Sequence, residues 1–215
     1  ERYDLLNLLL SLGMDRSWRA EAAREAFAAG ASRVLDVATG TGDLALCLKR
    51  TQPTAEVVGV DFAQPMLDIA RRKAAAAGQS IRLDLADALA LPYVDDHFGA
   101  LTIAYGLRNL SDLSAGLREF HRVLEPGGRL VVLEFPPPPT GPLGRLYQLY
   151  FLHVVPWMGG LVSGSRGAYQ YLPDSVLAFP EPRKLAALMQ EAGFQRVRYK
   201  LQTFGVSALH IGEKP

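Results

Sequence analysis

The stretch "LDVATGTGD", Leu35 to Asp43, decides the fold. It begins as an apolar run typical of a buried strand, bends at Gly40 and Gly42, and enters a helical pattern at Asp43. A strand that runs through Gly-x-Gly into a helix brings the backbone close to a ligand at the carboxyl edge of a parallel sheet. The stretch therefore predicts an α/β fold with a ligand site at this turn.

The segments on either side of the turn alternate between strand and helix patterns. Short runs rich in β-branched residues predict strands, and segments with helical periodicity predict helices. The predicted strands cover residues 34–37, 57–60, 81–83, 98–104, 130–133, 196–201 and 206–211, and the main predicted helices cover 43–50, 65–77, 113–124 and 181–192. This succession predicts a Rossmann-like, mostly parallel seven-stranded sheet with helices on both faces. Pro126-Gly127-Gly128 is predicted to be the turn between a helix and the next strand.

Size and composition narrow the functional classes. A chain of 215 residues with 49% hydrophobic content fits one globular domain, residues 1–215. The net charge of +1 and the lack of a Lys/Arg run predict no nucleic-acid partner. The single cysteine, Cys47, excludes an internal disulfide and a Cys-rich zinc site, so we expect a cytoplasmic protein without a bound metal. No stretch reaches the roughly 18 apolar residues that span a bilayer.

The charges at the turn indicate what the ligand is. Asp43 lies in the first helical turn, where a pyrophosphate would sit, and its carboxylate would repel that group. Asp36 adds a second negative charge, so the turn favours a ligand that carries positive charge and no phosphate, such as S-adenosylmethionine. Acids at helix starts also cap amides and offset the helix dipole, so a structural role for either residue stays open.

Further polar residues follow the next strands. Asp61, about 20 residues after the glycine turn, could accept both hydroxyls of a ribose, a role that suits a dinucleotide equally well. Asp87 could accept from an adenine amino group while the Ala88 amide meets a ring nitrogen. The exit of the fourth predicted strand carries Arg108 and Asn109, which we expect to be an exposed pair facing the reaction centre.

The chain resembles the S-adenosylmethionine-dependent C-methyltransferases of quinone biosynthesis, the demethylmenaquinone and polyprenyl-benzoquinol methyltransferase family. The resemblance runs essentially end to end. It rests on the N-terminal "YDLLNLLLSLGMDRSWR", the exit "YGLRN" and the segment "AYQYLPDSVLAFP", and on the more widely shared "LDVATGTGDLA", "VVGVDFAQPML" and "REFHRVLEPGGRLVVLEF". It implies a class I methyltransferase fold, S-adenosylmethionine as cofactor and a polyprenyl hydroquinol as substrate.

The resemblance also implies site residues. Contacts with S-adenosylmethionine fall to Thr41, Asp61, Asp87 and Ala88, with Gly40 and Gly42 shaping the turn. Asp36, Phe62 and Ala104 complete the predicted cofactor set, although some relatives carry serine where Ala104 stands. The predicted catalytic residues are Arg108, Asn109, Tyr3 and Asp4. His153 and His210 are alternative candidates for a general base.

Two segments are expected to complete the site. An N-terminal helical lid is predicted over about residues 1–30, and a substrate-cap insertion over about 136–180, beginning at a run of four prolines. The apolar, aromatic-rich part of the cap predicts peripheral contact with the inner face of the membrane. A homodimer is also expected.

The predicted function is C-methylation of demethylmenaquinol to menaquinol. Alternatives are methylation of the polyprenyl benzoquinol of ubiquinone biosynthesis or of another small apolar acceptor. An NAD-linked oxidoreductase and a non-catalytic ligand-binding scaffold are the alternatives from other classes.

Overall fold

The sheet and its helices follow the order that the sequence predicts. The computed structural model describes residues 14–138 and 175–215. In chain order its elements are α1 (Asp15–Phe27), β1 (Arg33–Val37), α2 (Asp43–Thr51), β2 (Glu56–Asp61), α3 (Gln64–Ala76), β3 (Arg82–Leu85), β4 (Phe98–Ala104), α4 (Leu113–Val123), β5 (Leu124–Glu134), α5 (Pro182–Glu191), β6 (Gln195–Gln202) and β7 (Ser207–Glu213). Short 3₁₀ turns occupy Leu107–Asn109 and Thr203–Gly205.

The strands form one seven-stranded sheet in the order β3-β2-β1-β4-β5-β7-β6. The five strands from β3 to β5 are parallel to one another, and β7 runs antiparallel to both of its neighbours. The predicted fold class is therefore confirmed. Because β1, β2 and β4 are adjacent and parallel, their carboxyl ends meet at one edge, where ligands bind in open α/β sheets.

Helices pack on both faces of the sheet. Along β1, Val34 belongs to the apolar cluster formed with α1 and α2, whereas Leu35 belongs to the cluster formed with α4 and α5. Val131 and Val132 on β5 divide between the same two clusters. Strands buried on both faces read as continuous apolar runs, which is why the sequence revealed them.

The Pro126-Gly127-Gly128 prediction is wrong in its placement. Strand β5 already begins at Leu124, directly after α4, and these residues lie inside the strand as an irregularity. Leu124 pairs with Phe98, whereas the next pair is Arg129 with Ala100, so the register shifts between them. The left-handed backbone of Gly127, at φ +82°, accommodates the irregularity.

Part of the predicted N-terminal lid, α1, is described. Its Trp18, Ala22, Ala23 and Ala26 are buried against the sheet and α2. Helix α1 therefore contributes to the core in addition to bordering the cleft described below. Most of the predicted cap lies outside the described residues.

Candidate active site

A cavity of about 690 Å³ opens at the carboxyl ends of β1, β2 and β4. This volume suits a ligand of cofactor size. Ten of the residues predicted from the sequence line it: Asp36, Gly40, Thr41, Asp61, Phe62, Asp87, Ala88, Ala104, Arg108 and Asn109. Gly42, the other described member of the predicted set, does not line the cavity and is the N-cap residue of α2.

The two glycines serve the turn in different ways. Gly42 has φ +82°, and a Cβ there would lie 3.0 Å from the Cβ of Ala70 on α3, so a side chain would be strained and crowded. Gly40 has φ +56°, and a Cβ there would meet no atom within 4 Å. Gly42 therefore lets two helices approach each other, whereas Gly40 exposes its backbone to the cavity.

Asp61 ties the glycine turn to the turn after β2. Its carboxylate accepts the Gly40 N–H at 2.8 Å through Oδ2 and the Ala63 N–H at 2.9 Å through Oδ1. A carboxylate oxygen can accept more than one hydrogen bond, so both oxygens keep acceptor capacity toward the cavity. The side chain is held rigidly, and that arrangement suits a pair of ribose hydroxyls.

Asp36 is enclosed at the end of β1. It is 1% exposed and accepts hydrogen bonds from the hydroxyls of Thr39, at 2.6 Å, and Thr102, at 2.7 Å. Burial raises the pKa of its carboxyl from 3.8 to about 6, against the two hydroxyl hydrogen bonds, which lower it. Sequence reasoning placed a charge here but could not foresee Thr102, because the two residues meet only across neighbouring strands.

The charge of Asp43 is balanced by two cations. Lys73 on α3 donates to Asp43 Oδ1 at 2.8 Å and to the Thr41 hydroxyl at 2.9 Å. The Nη1 atom of Arg19, on α1, lies 3.8 Å from Asp43 Oδ2 and 2.6 Å from Asp15 Oδ2. Asp43 is therefore not an isolated carboxylate, and the turn carries less net negative charge than the sequence indicated.

The residues after β2 and β3 form the outer end of the cavity. Phe62 is 79% exposed, an unusual position for a large aromatic side chain. Asp87 is exposed, and its Oδ1 accepts the Leu89 N–H at 2.9 Å. Ala88 follows it on the cavity wall. An aromatic face, a carboxylate and a backbone amide are the groups that recognise an adenine ring.

The exit of β4 differs from the prediction. Arg108 was expected to be exposed, but its side chain is 9% exposed and forms an ion pair with Glu134, at the end of β5, which is 1% exposed. Glu134 also accepts the backbone N–H groups of Arg108, at 3.3 Å, and Phe135, at 3.0 Å. A guanidinium needs a counter-charge when it leaves water, and Glu134 supplies it. Asn109 is exposed, as expected.

Tyr105, which directly follows β4, is a buried aromatic residue on the cavity wall. It has φ +58°, is buried, and stacks on Phe135 with ring centroids 4.5 Å apart. Burial raises the pKa of its phenol, so the phenol stays protonated. Sequence reasoning missed Tyr105, Glu134, Arg19 and Lys73, although three of the four stand inside or beside the quoted motifs.

Of the other predicted catalytic residues, only His210 is described. Tyr3, Asp4 and His153 lie outside the described residues. His210 lies on β7, where its Nε2 is 2.9 Å from the Pro182 carbonyl oxygen and its ring stacks on Tyr199. Burial lowers its pKa to about 4, and His210 is not among the residues that line the cavity, so its position does not support the suggested role as the base.

Two further features of the described residues concern metal sites and membrane-spanning helices. Among residues 14–138 and 175–215, no group of three His, Cys, Asp or Glu side chains could hold a metal ion. Within those same ranges, no helix combines the length and apolar character needed to cross a bilayer.

The fold is that of the class I methyltransferases. The structure is similar to that of the S-adenosylmethionine-dependent methyltransferase of Thermotoga maritima. That structure covers 97% of this chain and 93% of its own, with a TM-score of 0.65 and 20% identity. At this identity the likeness speaks for the fold alone.

The chain belongs to the ubiE/COQ5 methyltransferase family, whose model matches residues 1–214. It is 60% identical, over 100% of its length and 97% of the relative, to the demethylmenaquinone methyltransferase of Thermus thermophilus. It is 48% identical, over 99% of its length and 84% of the relative, to the ubiquinone/menaquinone biosynthesis C-methyltransferase of Geobacter sulfurreducens. The family resemblance inferred from the motifs is confirmed.

Proposed function

We propose that this enzyme transfers a methyl group from S-adenosylmethionine to a ring carbon of a polyprenyl hydroquinol, converting demethylmenaquinol to menaquinol. The observation that carries the proposal is the full-length match, at 60% identity, to a demethylmenaquinone methyltransferase. Methylation of a polyprenyl benzoquinol is the second candidate, because the relative from Geobacter sulfurreducens is named for both pathways.

The cavity residues fit the cofactor from one end to the other. Asp87 and the Ala88 amide would hold the adenine, and Phe62 would cover one face of the ring. Asp61 would accept the ribose hydroxyls through the acceptor capacity that its two backbone hydrogen bonds leave. This assignment places the nucleoside along the carboxyl ends of β3 and β2.

The remaining contacts belong to the end where the methyl group would lie. Gly40 and Thr41 would approach the ligand from the turn, with Gly42 keeping the turn in shape, and Ala104 would contribute its backbone. Asp36 would hold the turn in place by accepting the hydrogen bond of the Thr39 hydroxyl.

The chemistry favours an enclosed site. S-adenosylmethionine, when bound, supplies an electrophilic methyl group on a sulfonium. The acceptor carbon becomes nucleophilic as a neighbouring phenol loses its proton, and Arg108 would stabilise the phenolate that forms. Glu134 fixes the direction of the guanidinium, and Asn109 would orient the hydroxyl or a water. Because opposite charges disappear in the transition state, exclusion of water and alignment of the reactants supply much of the acceleration.

The N-terminal lid and the substrate cap would complete the active site. Tyr3 and Asp4 would close over the quinol ring from the N-terminal lid of about residues 1–30, and the cap of about 136–180 would cover the prenyl tail. The cap would touch the inner face of the membrane from the cytoplasm, which flotation with liposomes measures. A homodimer would appear in light scattering after size-exclusion chromatography.

The decisive assay supplies methyl-labelled S-adenosylmethionine with a short-chain demethylmenaquinol or a short-chain benzoquinol. We expect labelled menaquinol by mass spectrometry, with the naphthoquinol preferred. Arg108→Met should lose at least about 100-fold in rate, as expected when a charged group that stabilises a developing anion is removed. Binding of S-adenosylhomocysteine without methylation of either quinol would refute the acceptor, and no binding at all would refute the methyl donor.

A further inference from the structure

Arg19 lies on α1, which is not part of the glycine turn, and its side chain lines the cavity. The residue is 9% exposed and lines the cavity. Its guanidinium carbon lies 5.9 Å from the centroid of the Tyr105 ring, which follows β4, and its Nη1 lies 3.8 Å from Asp43 Oδ2, which begins α2. Arg19 therefore marks the end of the cavity nearest to β1 and β4.

The opposite end of the cavity lies after β3, at Asp87. In the sheet order β3-β2-β1-β4, three interstrand steps of about 4.8 Å separate β3 from β4, roughly 14 Å in total. Asp61, the last residue of β2, lies between the two ends. A nucleoside whose adenine meets Asp87 and whose ribose meets Asp61 therefore directs its 5′ substituent toward Arg19.

The guanidinium keeps donors for a ligand. Within residues 14–138 and 175–215, its hydrogen bond and its ion pairs all run through Nη1, to Asp15 and Asp43. A guanidinium carries five N–H donors in a planar fork that matches a carboxylate. Asp43 has a second cationic partner in Lys73, at 2.8 Å, so it does not depend on Arg19 alone for charge balance.

From this arrangement we infer that Arg19 binds the α-carboxylate at the methionine end of S-adenosylmethionine. The inference rests on the proposed function. It assigns the anionic group of the cofactor to a residue on α1, whereas the motif residues of the sheet edge hold the nucleoside. Arg19 thereby fixes the distance between the adenine and the sulfonium, and so the position of the transferable methyl group.

The test compares S-adenosylhomocysteine with its decarboxylated analogue, which keeps the ammonium and lacks only the carboxylate. Calorimetry with the wild type should give roughly 10- to 100-fold tighter binding of S-adenosylhomocysteine, as expected for charge-assisted hydrogen bonds. Arg19→Gln should abolish that preference by weakening S-adenosylhomocysteine alone. Arg16→Gln, on the exposed side of the same helix, should retain it.

Arg19→Lys keeps the positive charge but lacks the planar guanidinium, so it should show an intermediate preference for S-adenosylhomocysteine. This variant replaces Arg19→Gln in the test if the glutamine variant does not fold. Equal binding of the two compounds by the wild type overturns the inference. So does an equal loss of both in the Arg19 variants, which would mean that the residue only supports the fold. A wild type that binds neither compound refutes the proposed function itself, and this inference falls with it.

Discussion

Replacing Asp36 by asparagine is expected to remove a pH-dependent penalty from the folded state. The carboxyl is buried, and its pKa is raised from 3.8 to about 6 because burial disfavours the charged form. A group with a raised pKa contributes most to stability below its unfolded pKa, where both states are protonated, and loses that contribution as the pH rises through its folded pKa. Asparagine stays neutral throughout and has nearly the same shape.

The size of the effect follows from the two pKa values. They differ by about two pH units, and each unit corresponds to about 1.36 kcal/mol. Between pH 4 and pH 7 the free energy of unfolding of the wild type should therefore fall by roughly 2.4 kcal/mol relative to Asp36→Asn, because the unfolded carboxyl is already partly ionised at pH 4. Any fixed cost from rearranging the hydrogen bonds of Thr39 and Thr102 shifts the whole curve without changing this difference.

Urea unfolding followed by circular dichroism at several pH values measures the difference. Asp68→Asn is the matched control, because the Asp68 side chain is 50% exposed on α3 and the same exchange there leaves the buried carboxyl intact. A constant difference between wild type and Asp36→Asn across this range would refute the reasoning. A wild type that gains relative stability as the pH rises would mean that the hydroxyl hydrogen bonds outweigh burial.

Two further predictions concern the walls of the cavity. Phe62→Ala should leave the free energy of unfolding within about 0.5 kcal/mol of the wild type, because the side chain is 79% exposed. The same variant should bind S-adenosylhomocysteine about 10-fold more weakly, because the stacking contact is lost. An unchanged affinity in calorimetry would contradict the stacking role. Glu134→Gln should destabilise the fold by about 3 kcal/mol in urea titrations, because it leaves the buried guanidinium of Arg108 without a counter-charge. The control Glu125→Gln, at the exposed start of the same strand, should have little effect. A Glu134 variant as stable as its control would show that the ion pair contributes little.

The sheet could be predicted because its signal is local. Strands such as β1 and β4 are buried on both faces, so each reads as a mostly apolar run in the sequence. The glycine turn is equally local, because Gly40 and Gly42 need left-handed backbone that few other residues adopt. Strand β5 was placed less well, because the irregularity around Gly127 depends on its pairing with β4.

The side-chain pairs of the site could not be predicted in the same way. Asp43 and Lys73 are separated by 30 residues, Arg108 and Glu134 by 26. Such pairs are determined by which strands and helices lie side by side, and a single sequence does not state that. The same limit applies to His210, which the sequence offered as an alternative base, whereas the sheet places it against Pro182.

These pairings change the physical reason why the turn would select its ligand. Asp43 occupies the first turn of α2, where a pyrophosphate would otherwise meet free amides, but its charge is shared with Lys73 and Arg19. Repulsion by an unpaired carboxylate is therefore a smaller term than the sequence indicated. A dianionic pyrophosphate would add two charges that the paired groups cannot balance, whereas a zwitterionic amino-acid group adds none and can place its carboxylate on Arg19 and its ammonium near Asp43. Under the proposed function, selection at this turn would then come from matching a balanced set of charges.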